Sequence, residues 1–431
     1  MVSRIIQVHE RPPLGQSIPL SLQHLFAMFG SNVLVPILFH VDPSTILLMN
    51  GIGTLLYILM TKGKIPAFLG SSFAFLSPVF VVLGSQGYNA ALGGFLIVGL
   101  IFSLVAMVIK VAGTRWIDVV FPPAAMGAIV SVIGLELVPT AANMAGFIAP
   151  AGAPADWSPD STTVTVSVIT LLVGLIGSVV FRGLLKVIPI LVAIVVGYVL
   201  AAVLGLVHVG EVVGAAPWFK LPTFYSPTFD AASILIIAPA ALVVIAEHIG
   251  HLIVTGNIVG KDLSKDPGLS RSLMGNGVST MISSLVGSTP NTTYGENIGV
   301  LALSRVYSVW VIGGAAVLAV VLSFVGKLSA LIQTIPTPVM GGVSLLLFGV
   351  IATSGIRMLV ETKVDYSKPI NLVLTTVVLV IGLSGATFKW GHFELKGMAL
   401  ATIVTIVLSL FFKLLQICRL TNEEESSSTG H

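Results

Sequence analysis

The feature that most limits what this chain can become is an apolar run of about twenty residues, repeated along its whole length. A run of that kind is what an α-helix needs to cross the hydrocarbon core of a bilayer. Windows that satisfy it can be placed near 17–39, 44–61, 65–83, 89–110, 116–138, 162–181, 187–206, 231–257, 272–287, 293–305, 308–332, 337–356, 369–385 and 395–416. Only 9% of the 431 side chains are charged, against 55% hydrophobic, where soluble domains carry roughly a quarter charged. A water-soluble fold is excluded. The expected class is an all-α polytopic membrane protein with fourteen transmembrane segments and the lipid bilayer as solvent. Three windows, 65–83, 272–287 and 293–305, are short or interrupted.

Lys and Arg concentrate in the cytoplasmic loops of membrane proteins, which gives a check on the count. With the N-terminus inside and fourteen alternating spans, Lys220, Lys327, Lys389 and Lys396 fall outside, and the other seventeen of the 21 basic residues fall inside. An even number of spans with both termini cytoplasmic follows. The net charge of +3 is then a matter of topology, and no nucleic-acid partner is expected. The segment from Met1 to Gln16 is polar and contains Pro12-Pro13, so no cleavable leader is expected. A single cysteine, Cys418, excludes an internal disulfide framework. The tail around Glu423-Glu424-Glu425-Ser426-Ser427-Ser428 is expected to be solvated and disordered.

Two outer loops stand out by length, 139–161 and 207–230. The second divides the chain into halves of seven spans. An odd number of spans makes the second half enter the membrane from the opposite side, so the expected architecture is two inverted repeats, as in many secondary transporters. Such folds place the binding site where equivalent spans of the two halves are broken by Gly or Pro. Span 3 carries Gly70-Ser71-Ser72-Phe73-Ala74-Phe75-Leu76-Ser77-Pro78, and span 10 carries Thr292-Thr293-Tyr294-Gly295-Glu296. Short extended pieces are expected at Ser72–Phe75 and Thr292–Gly295. In lipid their unpaired N–H and C=O groups would each cost several kcal/mol, so the two pieces should pair as antiparallel strands or line a cavity.

Ionisable residues at membrane depth are functional candidates by default. Span 8 contains Glu247, His248 and His251, span 10 contains Glu296, span 1 contains Gln23-His24 and span 5 contains Glu136. Glu247 and His251, four apart, share a helical face, whereas His248 points elsewhere and reads as packing. Gln23 and His24 fit either a site or a tie between helices. Glu136, beside Val138-Pro139, reads as interfacial, and Gly341-Gly342 as a close helix contact. Glu247-His248-x-x-His251 is only weakly zinc-like, lacking the His-Glu-x-x-His spacing of a zinc hydrolase. No resident metal, cofactor or catalytic residue is expected, and the chain does not read as an enzyme. An anion transporter is disfavoured because the central positions are carboxylates rather than cations.

The run Glu296-Asn297-Ile298-Gly299-Val300-Leu301-Ala302-Leu303-Ser304-Arg305 resembles the signature of the nucleobase-ascorbate transporter family: an acidic residue or Gln, then Asn-x-Gly, closing on Thr-Arg. Ser304 stands where Thr is usual, a conservative change in hydroxyl chemistry. Gln23-His24 and Ala246-Glu247-His248 fit the same family, and residues 10–40 and 239–305 are similar to its bacterial uracil-importing branch. The resemblance implies a core domain of spans 1–4 and 8–11 (12–112 and 231–332) and a gate domain of spans 5–7 and 12–14 (113–230 and 333–418), followed by the tail 419–431. It implies uracil and protons as partners, a homodimer through the gate domain, and residence in the bacterial inner membrane. By position, Glu247 and Glu296 would hydrogen-bond the base, the backbone N–H groups of Phe73 and Gly295 would hold a carbonyl oxygen, and His251 and Tyr294 would support them. Another base such as xanthine or hypoxanthine, or sodium coupling, are the nearer alternatives.

The chemistry of a carboxyl-rich site agrees with that expectation. Uracil presents N–H donors beside C=O acceptors. A carboxyl group meets such a pair with two hydrogen bonds only when protonated, because the ionised form is acceptor-only. Protonation and binding then favour each other reciprocally, which is a mechanism for proton symport. Glu296 is the first choice for proton carrier, with Glu247 and His251 tuning it.

Overall fold

The computed structural model describes residues 5–150, 152–183, 185–207, 209–390 and 393–421. The expected tail at 423–428 lies outside them. The first half opens with α1 (Leu14–Ala27) and α2 (Phe29–Phe39), an apolar stretch bent at Met28. Asp42 caps α3 (Pro43–Met60) by accepting the Ser44 N–H at 3.0 Å, and Pro43 supplies a helical φ at the first position. Strand β1 (Leu69–Ser71) follows, then one 3-10 turn at Phe73–Phe75, then α4 (Leu76–Ser85). The long α5 (Tyr88–Ala112) and the short α6 (Arg115–Val120) come next. Helix α7 (Pro123–Glu136) runs on through Leu137 into α8 (Val138–Met144). Helix α9 (Ser161–Val180) is capped by Asp160, which accepts the Thr163 N–H at 2.7 Å, and α10 (Pro189–Val203) and α11 (Val209–Ala215) complete the half.

The second half begins with α12 (Ala231–Ile237), broken at Ala238-Pro239 from α13 (Ala240–Val259). Then come α14 (Leu269–Val286), β2 (Asn291–Thr293) and α15 (Gly295–Ser304). Helices α16 (Val309–Ser323), α17 (Gly326–Gln333), α18 (Thr337–Glu361) and α19 (Pro369–Leu383) lead to a hairpin of β3 (Thr387–Trp390) and β4 (Phe393–Lys396), and α20 (Gly397–Ile417) closes the described chain. Among the described residues, eight helical stretches are long and apolar enough to cross a membrane, and 73–85, 189–203, 309–323 and 369–383 form shorter apolar helices. Outward-facing apolar side chains such as Val111, Val179 and Val203, each more than three quarters exposed, are what a lipid-facing surface requires.

Several expectations need correction. Residues 139–144, read as the start of an outer loop, are helical, because Pro139 sits in the first turn of α8, where proline lacks no needed donor. Residues 209–215 are helical within the loop read at 207–230, and β3 and β4 occupy the gap between the last two windows and the start of the window 395–416. The extended piece of span 3 is Leu69–Ser71 rather than Ser72–Phe75, because the Ser72 side chain accepts the Ala74 N–H at 3.3 Å and starts the 3-10 turn there. In span 10 it is Asn291–Thr293, with Gly295 already in a helix.

The two strands pair antiparallel, Leu69 opposite Thr293, Gly70 opposite Thr292 and Ser71 opposite Asn291. Their outer edges are closed by hydroxyls. Thr54 of α3 accepts the Leu69 N–H at 2.9 Å, and Thr280 of α14 accepts the Asn291 N–H at 3.1 Å. The Leu69 and Asn291 amides are thereby satisfied in an apolar interior, where a bare one would be costly. Around this crossing, α14 packs along α5 and α16 along α3. The backbones approach closely at Gly99 and Gly277, where a Cβ on either residue would meet the other's carbonyl oxygen at 2.9 Å. Gly341 and Gly342 are close helix contacts as expected, facing the backbone at Ala145 and at Ser167.

Candidate binding site

The crossed strands hold up one wall of a cavity of about 350 Å³. That wall consists of the 3-10 turn at Phe73, α13 with Glu247 and His251, and the run Thr292–Glu296 from β2 into α15. The facing wall comes from α7 (Val130, Ile133), α10 (Pro189, Ile190) and α18 (Leu346, Val350, Ser354). Lys186 and Arg357 also line it, and Arg357 Nε donates to Glu361 at 2.6 Å.

Each of the six residues singled out for the site lines this one cavity. Glu247 and Glu296 are part-buried, and Glu247 Oε2 and Glu296 Oε1 have no hydrogen-bond partner among the described residues. Both oxygens are buried, and a buried acceptor without a donor is costly, so a donor that reaches either one gains most. Ser72 hydrogen-bonds the Glu247 side chain, and His251 Nε2 stands 3.9 Å from Glu247 Oε1. The other ring nitrogen of His251, Nδ1, lies 3.0 Å from the Thr293 carbonyl oxygen. A carbonyl only accepts, so Nδ1 carries the proton and Nε2 presents its lone pair to the cavity.

Phe73 is nearly buried and packs edge-on between two rings, Tyr294 at 6.2 Å and Phe348 at 5.9 Å between centroids. The Tyr294 hydroxyl donates to the Ser71 carbonyl, which ties the end of β2 back to β1. Gly295 opens α15, so the first N–H groups of that helix lack intrahelical acceptors. A Cβ at Gly295 would lie 3.3 Å from His251 Nε2, so the backbone approaches the imidazole closely there.

Other candidates lie elsewhere. His24 Nδ1 donates to Asn297 Oδ1 at 3.1 Å, and Asn297 Nδ2 donates to the Pro66 carbonyl at 3.3 Å, so His24 ties α1 to α15 behind the cavity. Gln23 is buried in α1 and does not line the cavity. Glu136 accepts from Ser77 Oγ at 2.9 Å and from the Met398 N–H at 3.2 Å, which joins α4, α7 and α20. His248 faces away from Glu247 toward Ser272 and Asn276, so the Glu-His-His set that a metal would need is not brought together. Sequence reading placed Thr293 in the broken segment of span 10 but gave it no role, although its side chain reaches both histidines.

Comparison with known proteins gives a consistent picture. Residues 15–391 match the family model Xan_ur_permease, described as a permease family. The chain is 69% identical over 423 residues to the uracil permease of Paenibacillus larvae, covering 98% of this chain and 100% of that one. It is 62% identical to the uracil permease of Escherichia coli K12 (97% and 96% covered) and 48% identical to that of Bacillus caldolyticus (94% of each). Among solved structures, the transmembrane domain of the cyanobacterial bicarbonate transporter BicA superposes with a TM-score of 0.60 at 14% identity, covering 96% of this chain and 99% of that one. SLC26A9 superposes with a TM-score of 0.68 at 10% identity; 93% of this chain is covered, spanning 65% of the longer one. At such low identity these likenesses concern the fold.

Proposed function

The chain belongs to the nucleobase-ascorbate transporter family, and on that premise we propose that it is a secondary transporter importing uracil together with protons across the bacterial inner membrane. The observation that carries this reading is the convergence of Glu247 and Glu296, from two helices, on one cavity, each with a buried carboxyl oxygen that has no partner among the described residues. Its relatives are permeases rather than enzymes. The names of those relatives support uracil as substrate.

In this reading the base lies between the wall of Phe73, α13, β2 and α15 and the wall of α7, α10 and α18. These walls correspond to the core and gate domains, and movement of one against the other exposes the site alternately to the two sides. Glu247 and Glu296 hydrogen-bond the ring, the N–H groups at Phe73 and Gly295 take a carbonyl oxygen, and Tyr294 and His251 hold them in place. A protonated carboxyl group offers the donor that an ionised one lacks, so uracil and a proton bind cooperatively. One proton moving down ~100 mV contributes roughly 2.3 kcal/mol, and one pH unit adds about 1.4, enough for accumulation on the order of 500-fold.

The arrangement around the crossing supports two inverted repeats of seven spans. In each half a helix (α3, α14) supplies a threonine to the strand that follows it (β1, β2), and a short helix (α4, α15) comes next. The packing of α5 on α14 and of α3 on α16 is what exchanging the halves would produce. Lys186 and Arg357, both on the inside by the charge rule, line the cavity, which supports an opening toward the cytoplasm. The reading also takes both termini to be cytoplasmic and a homodimer to form through the gate domain.

Uptake of a labelled panel of uracil, thymine, xanthine and hypoxanthine into cells, with and without a protonophore, tests the reading. Uracil uptake abolished by the protonophore is expected. Uptake of xanthine in preference to uracil, or uracil accumulation that follows sodium alone, would overturn it.

A further inference from the structure

From Thr293 in the cavity wall, a buried hydrogen-bonded chain that the transport reading does not use runs back into the core. His248 is on α13, Ser272 and Asn276 on α14, Tyr57 on α3 and Thr293 on β2, and all five are buried. His248 Nδ1 is 3.0 Å from Asn276 Nδ2 and 3.0 Å from Thr293 Oγ1, while its Nε2 is 2.8 Å from Ser272 Oγ. Ser272 Oγ is 2.6 Å from the Tyr57 hydroxyl. Thr293 in turn faces His251 Nδ1 with its carbonyl at 3.0 Å and its hydroxyl at 3.3 Å.

We propose that Asn276, His248 and Thr293 are positioning residues that set the direction of the hydrogen bonds running from α14 through His248 to His251 and so hold His251 with its Nε2 lone pair toward Glu247. The proposal rests on the transport reading for its purpose and on the geometry for its content. An amide nitrogen carries two protons and no lone pair. Its neighbour, His248 Nδ1, must therefore accept, and the proton of the neutral ring sits on Nε2, where it is donated to Ser272. The hydroxyl of Thr293 then also donates to His248 Nδ1, sharing its single lone pair with Asn276. That leaves the oxygen lone pairs of Thr293 free to accept. His251 Nδ1–H meets two acceptors on one residue, the carbonyl and the hydroxyl of Thr293, and its opposite nitrogen is left bare 3.9 Å from Glu247 Oε1. The Asn276 amide, reached through His248, thus leaves the Thr293 hydroxyl as an acceptor beside the carbonyl, so that both hold the proton of His251 on Nδ1. In a dry interior such an ordered network is costly to break at any link.

The same contacts fix position as well as direction. Thr293 is the last residue of β2, and the next two residues, Tyr294 and Gly295, lie in the cavity wall. Anchoring its hydroxyl on α13 holds the end of the strand where Glu296 enters α15.

Histidine-selective ¹⁵N spectroscopy of the full-length protein tests the assignment, with His248→Gln and His251→Gln to identify the signals. The proposal requires the Nε2–H form at His248 and the Nδ1–H form at His251. His248 protonated at Nδ1, as the opposite setting of the Asn276 amide would give, overturns it. Uracil binding by calorimetry tests the consequence. Thr293→Val keeps the shape and removes the hydroxyl, and should weaken binding about tenfold, while Thr293→Ser should stay near wild type. Asn276→Asp, similar in size but without the donor, should move the His248 proton to Nδ1 and weaken binding comparably. Wild-type affinity in Thr293→Val, or equal loss in Val and Ser, overturns the proposal. Failure of the wild-type protein to bind uracil would refute the transport reading and leave the spectra to decide this one.

Discussion

Gly70 of β1 lies directly against the ring of Tyr294, so that a Cβ on Gly70 would overlap the ring edge. The two residues come from the broken segments of the two halves, and their contact lets the Tyr294 hydroxyl reach the Ser71 carbonyl and the ring pack on Phe73. The Gly70→Ala substitution should push Tyr294 out of that position and lower uracil affinity by about 1–3 kcal/mol, the range for a disturbed packing and hydrogen-bond site. Gly84→Ala, where nothing lies within 4 Å, serves as the control and should bind as wild type in calorimetry.

The two carboxylates give a sharper contrast. Glu247→Ala and Glu296→Ala should abolish uracil uptake while leaving inserted, folded protein. Glu296→Gln carries the donor and acceptor of a protonated acid permanently. Its binding should partly survive and lose most of its pH dependence, while concentrative uptake in vesicles should fail. Retained proton-driven accumulation in Glu296→Gln would move the carrier role to another group.

At the start of α15 the constraint is space. A Cβ at Gly295 meets His251 Nε2 at 3.3 Å, so the branched side chain in Gly295→Val must press on the imidazole and block the cavity. Binding to that variant should be undetectable by calorimetry. Phe73→Ala removes a ring held between Tyr294 and Phe348 and should weaken uracil binding by about 1 kcal/mol or more.

Asp42 predicts a pH dependence of stability rather than of transport. Burial disfavours its charge, but Lys220 Nζ at 3.0 Å, the Ser44 N–H, Thr223 and Ser329 together outweigh that and hold the carboxyl below the usual carboxylate range. A lowered pKa in the folded state contributes stability that is present above the unfolded value of about 4 and is lost as pH falls through the folded one. The Asp42→Asn variant should therefore be less stable than wild type at neutral pH by about 1–3 kcal/mol. The gap in thermal midpoint should narrow as pH falls below about 4. A gap that stays constant with pH would contradict the role given to the charge.

Hydropathy and the positions of the basic residues made the long helices legible, because length and apolarity dictate them locally. The pairing of β1 with β2 was legible in kind, since broken backbone at membrane depth needs partners. Its register was not. It depends on Thr54 and Thr280, which sit on other helices and carry no local signal. The cavity residues emerged because Glu247, His251 and Glu296 are anomalous in hydrocarbon. Thr293 and Asn276, which act through neighbours, look like ordinary small polar residues of membrane helices and strands. The strands Thr387–Trp390 and Phe393–Lys396 fall largely in the gap between the last two apolar windows, where four residues each are too few to give a period.

The central claim is that uracil and a proton enter together through the site of Glu247 and Glu296. It is tested most directly in proteoliposomes held at zero potential, by adding uracil outside while following external pH with a sensitive electrode and uracil entry with a label. The account predicts that the medium turns alkaline in step with uracil entry, and that neither signal appears with Glu296→Ala. Uracil entry at the full rate with no movement of protons would contradict it.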